Sequence, residues 1–178
     1  ESSLKAAYLQ VRGSGALTDG QDYADYLLSF VQCCILYPDP ISQDLWTIQS
    51  DDDGSGDLFL YGRSEYWAYP METIQRGYGD CEDTCFLVAA LFRLAGFESG
   101  VATIPGHMVA VVALKEFAPS PMWAKNLVLT SKQLVATGVN LFFCETTTEM
   151  FVPVGYLSQE SYQEIMRLQS VKVEGVAA

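Results

Sequence analysis

Residues 84–95 read TCFLVAALFRLA, a stretch at helical spacing that is apolar on nearly every side. Such a helix persists in water only when other elements cover most of its circumference, so the chain must build layers around it. Its start is marked immediately upstream. In Gly79-Asp80-Cys81-Glu82-Asp83, Asp80 can serve as N-cap and Asp83 stands three residues on in a capping-box-like place. Both carboxylates suit the positive end of a helix, and Gly96 supplies the stop. Beyond it the period changes to that of strands, over residues 101–104 and 107–114, with Pro105-Gly106 at the break.

The rest of the chain supplies plausible covers for that helix. Residues 22–37 predict a helix with Tyr23, Leu27, Phe30, Val31 and Cys34 on one face, closed by Pro38 and Pro40. Residues 39–69 are irregular, with a turn-rich acidic run at 51–57, a short strand expected over 58–61, and an aromatic cluster of Tyr61, Tyr66, Trp67 and Tyr69. Further strands are expected over 139–146 and 151–154. Short helices are expected around 131–136 and over 158–169, the latter from a Ser cap. The order predicts an α+β fold, with a buried central helix packed on an antiparallel sheet. Residues 1–21 read as an N-terminal arm or helix and 22–178 as one domain, long enough to bury roughly 70% of its unfolded surface.

Composition narrows the function classes. Twenty-two acidic against ten basic residues give a net charge of −12, and the basic residues are scattered, which argues against a nucleic-acid partner. The longest mostly apolar stretch, 86–94, is interrupted by Arg93 and far short of the ~20 residues of a membrane span. The chain begins at Glu1, as a processed or trimmed piece would, so missing targeting signals do not fix its address. Five cysteines, Cys33, Cys34, Cys81, Cys85 and Cys144, make an odd count. Adjacent or one-turn spacings disfavour disulfides. All but Cys81 are expected as core thiols.

Cys81 is the chemically interesting one. A thiol of ordinary pKa is only about 3% thiolate at neutral pH. A place in the first turn of a helix favours the anion, and a nearby imidazole can take the proton. The only histidine is His107, in Pro105-Gly106-His107. The carboxylates of Asp80, Glu82 and Asp83 push the thiol the other way. The expected arrangement has the caps facing backbone N–H groups and the sulfur facing His107. An imidazole acting as base also needs a partner on its other nitrogen. Glu145, a carboxylate carried at the end of the apolar run Asn140-Leu141-Phe142-Phe143-Cys144, is the best candidate. Alternatively, it caps a turn with Thr146 or Thr147.

Taken in order, Tyr66-Trp67-Ala68-Tyr69-Pro70-Met71-Glu72-Thr73, Gly79-Asp80-Cys81-Glu82-Asp83, Pro105-Gly106-His107 and Glu145-Thr146-Thr147 resemble the bacterial and archaeal transglutaminase-like cysteine peptidases. The resemblance covers about residues 22 to 157. It implies a papain-like core and a thiol-dependent amide-bond hydrolase or acyl transferase acting on protein or peptide substrates. Carried over, Cys81 is the nucleophile, His107 the base and then the acid, and Glu145 the orienting group. The family more often has aspartate in that third role, and glutamate adds one methylene. Papain-like enzymes often add an upstream polar side chain at the oxyanion. Gln32 is the nominee and Trp67 the alternative, with Tyr66 and Tyr69 as candidate groove walls. The resemblance also leans toward an exported or cell-envelope protein.

No cofactor is required by that chemistry. Some members of the resembled family depend on calcium through acidic residues beside the nucleophile, here Asp80, Glu82 and Asp83. Separately, Asp51, Asp53, Ser55 and Gly56 partly match a calcium loop, but Gly62 stands where its closing glutamate belongs, so a solvated turn is the simpler reading. A zinc site of Cys81, Cys85, His107 and Cys144 is a rival, although its spacing is unusual and no CxxC is present. The other alternative is a binding or scaffolding module that keeps the fold without catalysis. Substrate identity, oligomeric state and the balance of hydrolysis against crosslinking are not encoded legibly.

Overall fold

A computed structural model describes residues 20–37, 57, 61–63, 65–117, 128–129, 140–148, 151–157, 159–167 and 172–175. Among the described residues, helices α1 (Gly20–Cys34), α2 (Pro70–Arg76) and α3 (Cys81–Leu94) precede the sheet. They are followed by β1 (Ser99–Ile104), β2 (His107–Ala113), β3 (Val128–Leu129), β4 (Leu141–Cys144), β5 (Tyr156–Leu157), α4 (Gln159–Arg167) and β6 (Lys172–Glu174). The main sheet runs β4-β2-β1-β6 with antiparallel neighbours throughout, and β3 pairs with β5. The expected α+β architecture, a buried helix on an antiparallel sheet, is the one observed.

The centre is α3. Cys85, Leu87, Val88, Leu91 and Phe92 on it are buried. They pack between α1, through Tyr23, Ala24, Leu27, Leu28 and Val31, and the sheet face bearing Val101, Met108, Ala110, Val112, Phe142 and Cys144. The opposite sheet face carries Ala102, Ile104, Val109, Val111, Leu141 and Phe143, and it is covered by Leu157 and by Ile165 of α4. With both faces covered, β2 can be apolar at successive positions without exposing any of them. Each buried Leu, Val or Phe contributes roughly 1.5–3 kcal/mol.

Local chemistry fixes the ends of α3. The Asp80 carboxylate accepts the Asp83 N–H at 3.2 Å. At the far end, Phe97 N–H donates to Phe92 C=O, Gly96 N–H donates to Arg93 C=O, and Gly96 takes φ 92°. This is the two-bond stop that favours glycine. The Ser99 hydroxyl then donates to Ala89 C=O at 2.7 Å, and Arg93 donates to Ser99 C=O, tying the helix end to the start of β1. Pro105 and Gly106, the latter at φ 69°, turn β1 into β2, so that Ile104 pairs with His107.

Several boundaries differ from the sequence expectations, each with a reason. The first helix ends at Cys34 instead of residue 37, because Leu36 pairs with Tyr78 and receives and gives hydrogen bonds at Gly77 and Gly79. Cys33 and Cys34 are exposed, not core, because the buried stripe passes from Val31 to Ile35. Residues 151–153 form no strand: Val152 is held by the Gln32 side chain and Val154 N–H donates to Asp25 at 2.7 Å. Helix α2 was not anticipated, although Pro70 at its first position, Glu72 reaching back to Tyr69 N–H, and Gly77 at φ 74° are its signals. Strand β6, paired with β1 from Val101 to Thr103, was likewise missed. Tyr61 is helical where the strand expected over 58–61 would end; residues 58–60, like the helix expected around 131–136, lie outside the described residues. No helix among the described residues is long and apolar enough to cross a membrane.

Two outcomes follow from this packing. Asp25 has its carboxyl pushed up to about 6 by burial. Its contribution to stability is whole below about pH 4 and fades as pH rises through about 6. Asp25→Asn keeps an oxygen for Val154 N–H without the buried charge. It is expected to stabilise the protein by about 1–2 kcal/mol at pH 8 and by little at pH 4, read by urea unfolding at both pH values. A Cβ at Gly79 would lie 2.7 Å from Asp83 Cβ and 2.9 Å from Thr73 Cγ2. Gly79→Ala is therefore expected to cost about 1–3 kcal/mol, seen as a lowered melting temperature.

Candidate active site

His107 opens β2, and its Nε2 lies 3.0 Å from Glu145 Oε1 and 3.3 Å from Oε2. Glu145 follows the last residue of β4 and is only 2% exposed. Such a carboxylate needs several donors to stay charged, and it has them. Oε1 accepts Thr146 N–H at 3.1 Å, Thr147 N–H at 3.3 Å and the Thr147 hydroxyl at 3.0 Å, while Oε2 accepts the Ser161 hydroxyl at 3.2 Å. Burial alone would raise this carboxyl. The His107 hydrogen bond and charge, with the Thr147 donors, outweigh it and hold Glu145 below the usual carboxylate range. Both the contact to His107 and the turn with Thr146 and Thr147 are therefore present together.

Cys81 is the first residue of α3 and is 8% exposed. Two contacts dock this end of the helix onto the strand ends that carry the imidazole and the acid. The Cys85 thiol, one turn on, donates to Met108 C=O at 3.3 Å, next to His107. The Thr84 hydroxyl lies 2.8 Å from the Thr146 hydroxyl, next to Glu145. These two bonds join the first turns of α3, which Cys81 opens, to the strand ends that carry His107 and Glu145.

The electrostatics at the sulfur differ from the sequence expectation. The Cys81 thiol donates to Glu82 Oε2 at 3.0 Å, where a contact to His107 was expected. Burial, with Glu82 next, pushes the thiol far above its ordinary value. Both influences favour the protonated thiol, against the pull of the helix end. Asp83 also departs from expectation. Instead of completing the capping box, its carboxylate accepts Ala68 N–H at 2.7 Å and the Tyr61 hydroxyl at 3.1 Å, and burial raises it to about 6.

Three acidic side chains, Asp57, Asp80 and Glu82, bring one oxygen each to within 4.8 Å of one another beside Cys81. All-oxygen donors suit a hard cation such as calcium. Asp57 thereby replaces Asp83 in the acidic set expected from the sequence. Residues 51–56 of the calcium-like loop lie outside the described residues. The proposed zinc set is not gathered: among the described residues the acidic trio is the one group within reach of a single ion.

The oxyanion and groove nominees are engaged otherwise. Both N–H bonds of the Gln32 amide are taken, by Glu145 C=O at 2.6 Å and Val152 C=O at 2.9 Å, which leaves none for an oxyanion. The Trp67 indole N–H donates to Glu65 at 3.2 Å and its ring packs on Phe86 with centroids 5.6 Å apart. Trp67 and Tyr69 do line a groove of about 590 Å³, with Phe86 and Arg93, but Cys81, His107 and Glu145 are not part of its wall. The Tyr66 hydroxyl is occupied by Glu72 at 3.0 Å. Ser161 was missed. Its only sequence signal is its place four residues before Ile165 on the buried side of α4.

No protein-family profile matches the chain and no sequence of a characterised protein does. Among solved structures, one that matches is calcium-bound LapG of Legionella pneumophila, at 15% identity and a TM-score of 0.37. That match covers 84% of this chain, which spans 60% of the LapG chain.

Proposed function

We propose that this chain is a thiol-dependent amide-bond hydrolase or acyl transferase acting on protein or peptide substrates, with Cys81 as nucleophile, His107 as base and Glu145 as orienting acid. The observation that carries the reading is the His107–Glu145 contact at 3.0 Å, made through Nε2 by a carboxylate saturated with donors. An Nε2–H directed at Glu145 leaves the Nδ1 lone pair as the basic atom of the ring. The order of motifs resembling the transglutaminase-like peptidases supports the same roles.

The chemistry then runs from a neutral thiol. Nδ1 removes the Cys81 proton as the sulfur attacks the carbonyl carbon, so that no preformed thiolate is needed. The carbonyl oxygen becomes an oxyanion, for which the Cys81 N–H, in the first helical turn, is the available backbone donor. The imidazolium returns its proton to the departing amine as the C–N bond breaks, leaving a thioester. Water or a second amine attacks that thioester, with Nδ1 taking its proton and the sulfur leaving as thiol. The alternative, a module that only keeps the fold, accounts for the donors around Glu145 but gives no role to the imidazole they leave oriented.

Calcium is the cation for which Asp57, Asp80 and Glu82 provide the donor chemistry. When bound, it would offset the carboxylates, which add to burial in raising the thiol. Iodoacetamide labelling mapped by mass spectrometry reads this directly, with exposed Cys33 and Cys34 as internal references. Without calcium, Cys81 is expected to label far more slowly than either. Millimolar calcium is expected to accelerate Cys81 about tenfold or more and to leave the references unchanged, and Asp80→Asn to remove the effect. Calcium-independent labelling of Cys81 would set the metal aside.

Turnover is tested with unfolded casein and a fluorescent primary amine, following new peptide ends and amine incorporation, with and without calcium. Cys81→Ala and His107→Asn are expected to abolish both products. Glu145→Gln is expected to lower the rate by about 10²- to 10⁴-fold, since the orienting acid of a triad has effects of that size. Activity surviving in Cys81→Ala would refute the assignment.

A further inference from the structure

The Gln32 side chain, left without an oxyanion role, is bonded in a manner that bears on the site itself. Its amide spans two chain segments. Nε2 donates to Glu145 C=O at 2.6 Å and to Val152 C=O at 2.9 Å, and Oε1 accepts Val152 N–H at 3.1 Å. The two bonds to Val152 imitate a strand pairing, with the side chain standing in for a peptide unit. The third reaches the carbonyl of the residue that holds the imidazole. Asp25, two helical turns earlier on the same face of α1, accepts Val154 N–H and keeps the following segment in place.

We infer that Gln32 is a positioning residue for the catalytic pair: it fixes the Glu145 backbone just past the end of β4 and thereby sets which nitrogen of His107 carries the proton. The inference rests on the roles of His107 and Glu145 proposed above. β4 pairs with β2 only as far as Cys144, so the ladder does not determine where the Glu145 peptide lies. The Gln32 amide bonds that peptide to a helix packed in the core. A shift of a few tenths of an ångström there would loosen a 3.0 Å contact at the carboxylate end. The task needs two N–H donors aimed at two carbonyls from separate segments, together with an acceptor. A planar primary amide has all three. Glutamate would turn an anion on the carbonyls, and an apolar side chain would leave them and the Val152 N–H without these bonds.

Because the protein has one histidine, the tautomer can be read without assignment from the ¹⁵N shifts of its only imidazole at alkaline pH. The native protein is expected to hold the Nε2–H form. Gln32→Met keeps the volume and removes the amide. It is expected to give a mixture with a substantial Nδ1–H fraction and at least a tenfold lower kcat on casein, with little change in KM. Gln32→Ala serves as a second variant, and Asp25→Asn, which retains an acceptor for Val154, is expected to keep the native tautomer. A native tautomer and unchanged kcat in Gln32→Met, with only the melting temperature lowered, would overturn the inference and leave Gln32 a structural bracket. The same holds if the native protein is not in the Nε2–H form. Loss of the proposed function is separately visible: Cys81→Ala would then remain active whatever the tautomer does.

Discussion

Burying Glu145 is the costly step around which this edge of the molecule is arranged. A carboxylate with 2% of its surface exposed would normally give up its charge. Here four hydrogen-bond donors and the His107 ring reverse that tendency. Those donors come from two places in the chain, the turn after β4 and the first half of α4. The carboxylate therefore ties the last helix to the strand that precedes it as well as orienting the imidazole. The buried ion is stable only with the fold complete, and the imidazole is oriented only with the ion in place.

The acidic side chains around Cys81 pull against this. Asp80 is required as the cap of α3, and Glu82 accepts a hydrogen bond from the thiol at 3.0 Å, so the acidic residues at the helix start also disfavour a thiolate there. A helix end alone favours an anion by roughly 0.3–1 kcal/mol when exposed, up to about 2 when partly buried. That is too little to offset burial and an adjacent carboxylate together. The same crowding of oxygens that suppresses the thiolate forms the set suited to a hard cation, with Asp57 approaching from a distant part of the chain. Suppression and its relief by a cation would then share one group of side chains.

Much of this was legible in the residues, for identifiable reasons. The apolar run from Thr84 to Ala95 could only be a covered helix, and Pro105-Gly106 could only be a turn. The cap, the stop and the hairpin all follow from local rules. His107 and Glu145 were readable as a pair because one imidazole and one carboxylate at the end of an apolar strand leave few alternatives. What was not legible depends on side chains from far along the chain. Nothing local says that Gln32 bonds to residues 145 and 152, that Ser161 faces Glu145, or that Asp83 turns to Ala68. These bonds replace ladder pairs, which is why the strand expected over 151–154 dissolves into a segment held by Gln32 and Asp25. Cys33 and Cys34 were misplaced because the buried stripe of α1 follows Tyr23, Leu27, Val31 and Ile35 and leaves both on its exposed side.

The most direct test of the central claim is a crystal structure of the protein after reaction with a peptide aldehyde, whose carbonyl captures an active thiol as a thiohemiacetal. The account predicts a covalent bond to Cys81 Sγ, with Nδ1 of His107 at about 3–3.5 Å from the sulfur or the adduct oxygen and Nε2 still on Glu145. An adduct on Cys33 or Cys34 with Cys81 untouched, or a His107 ring turned away from the Cys81 adduct, would contradict it.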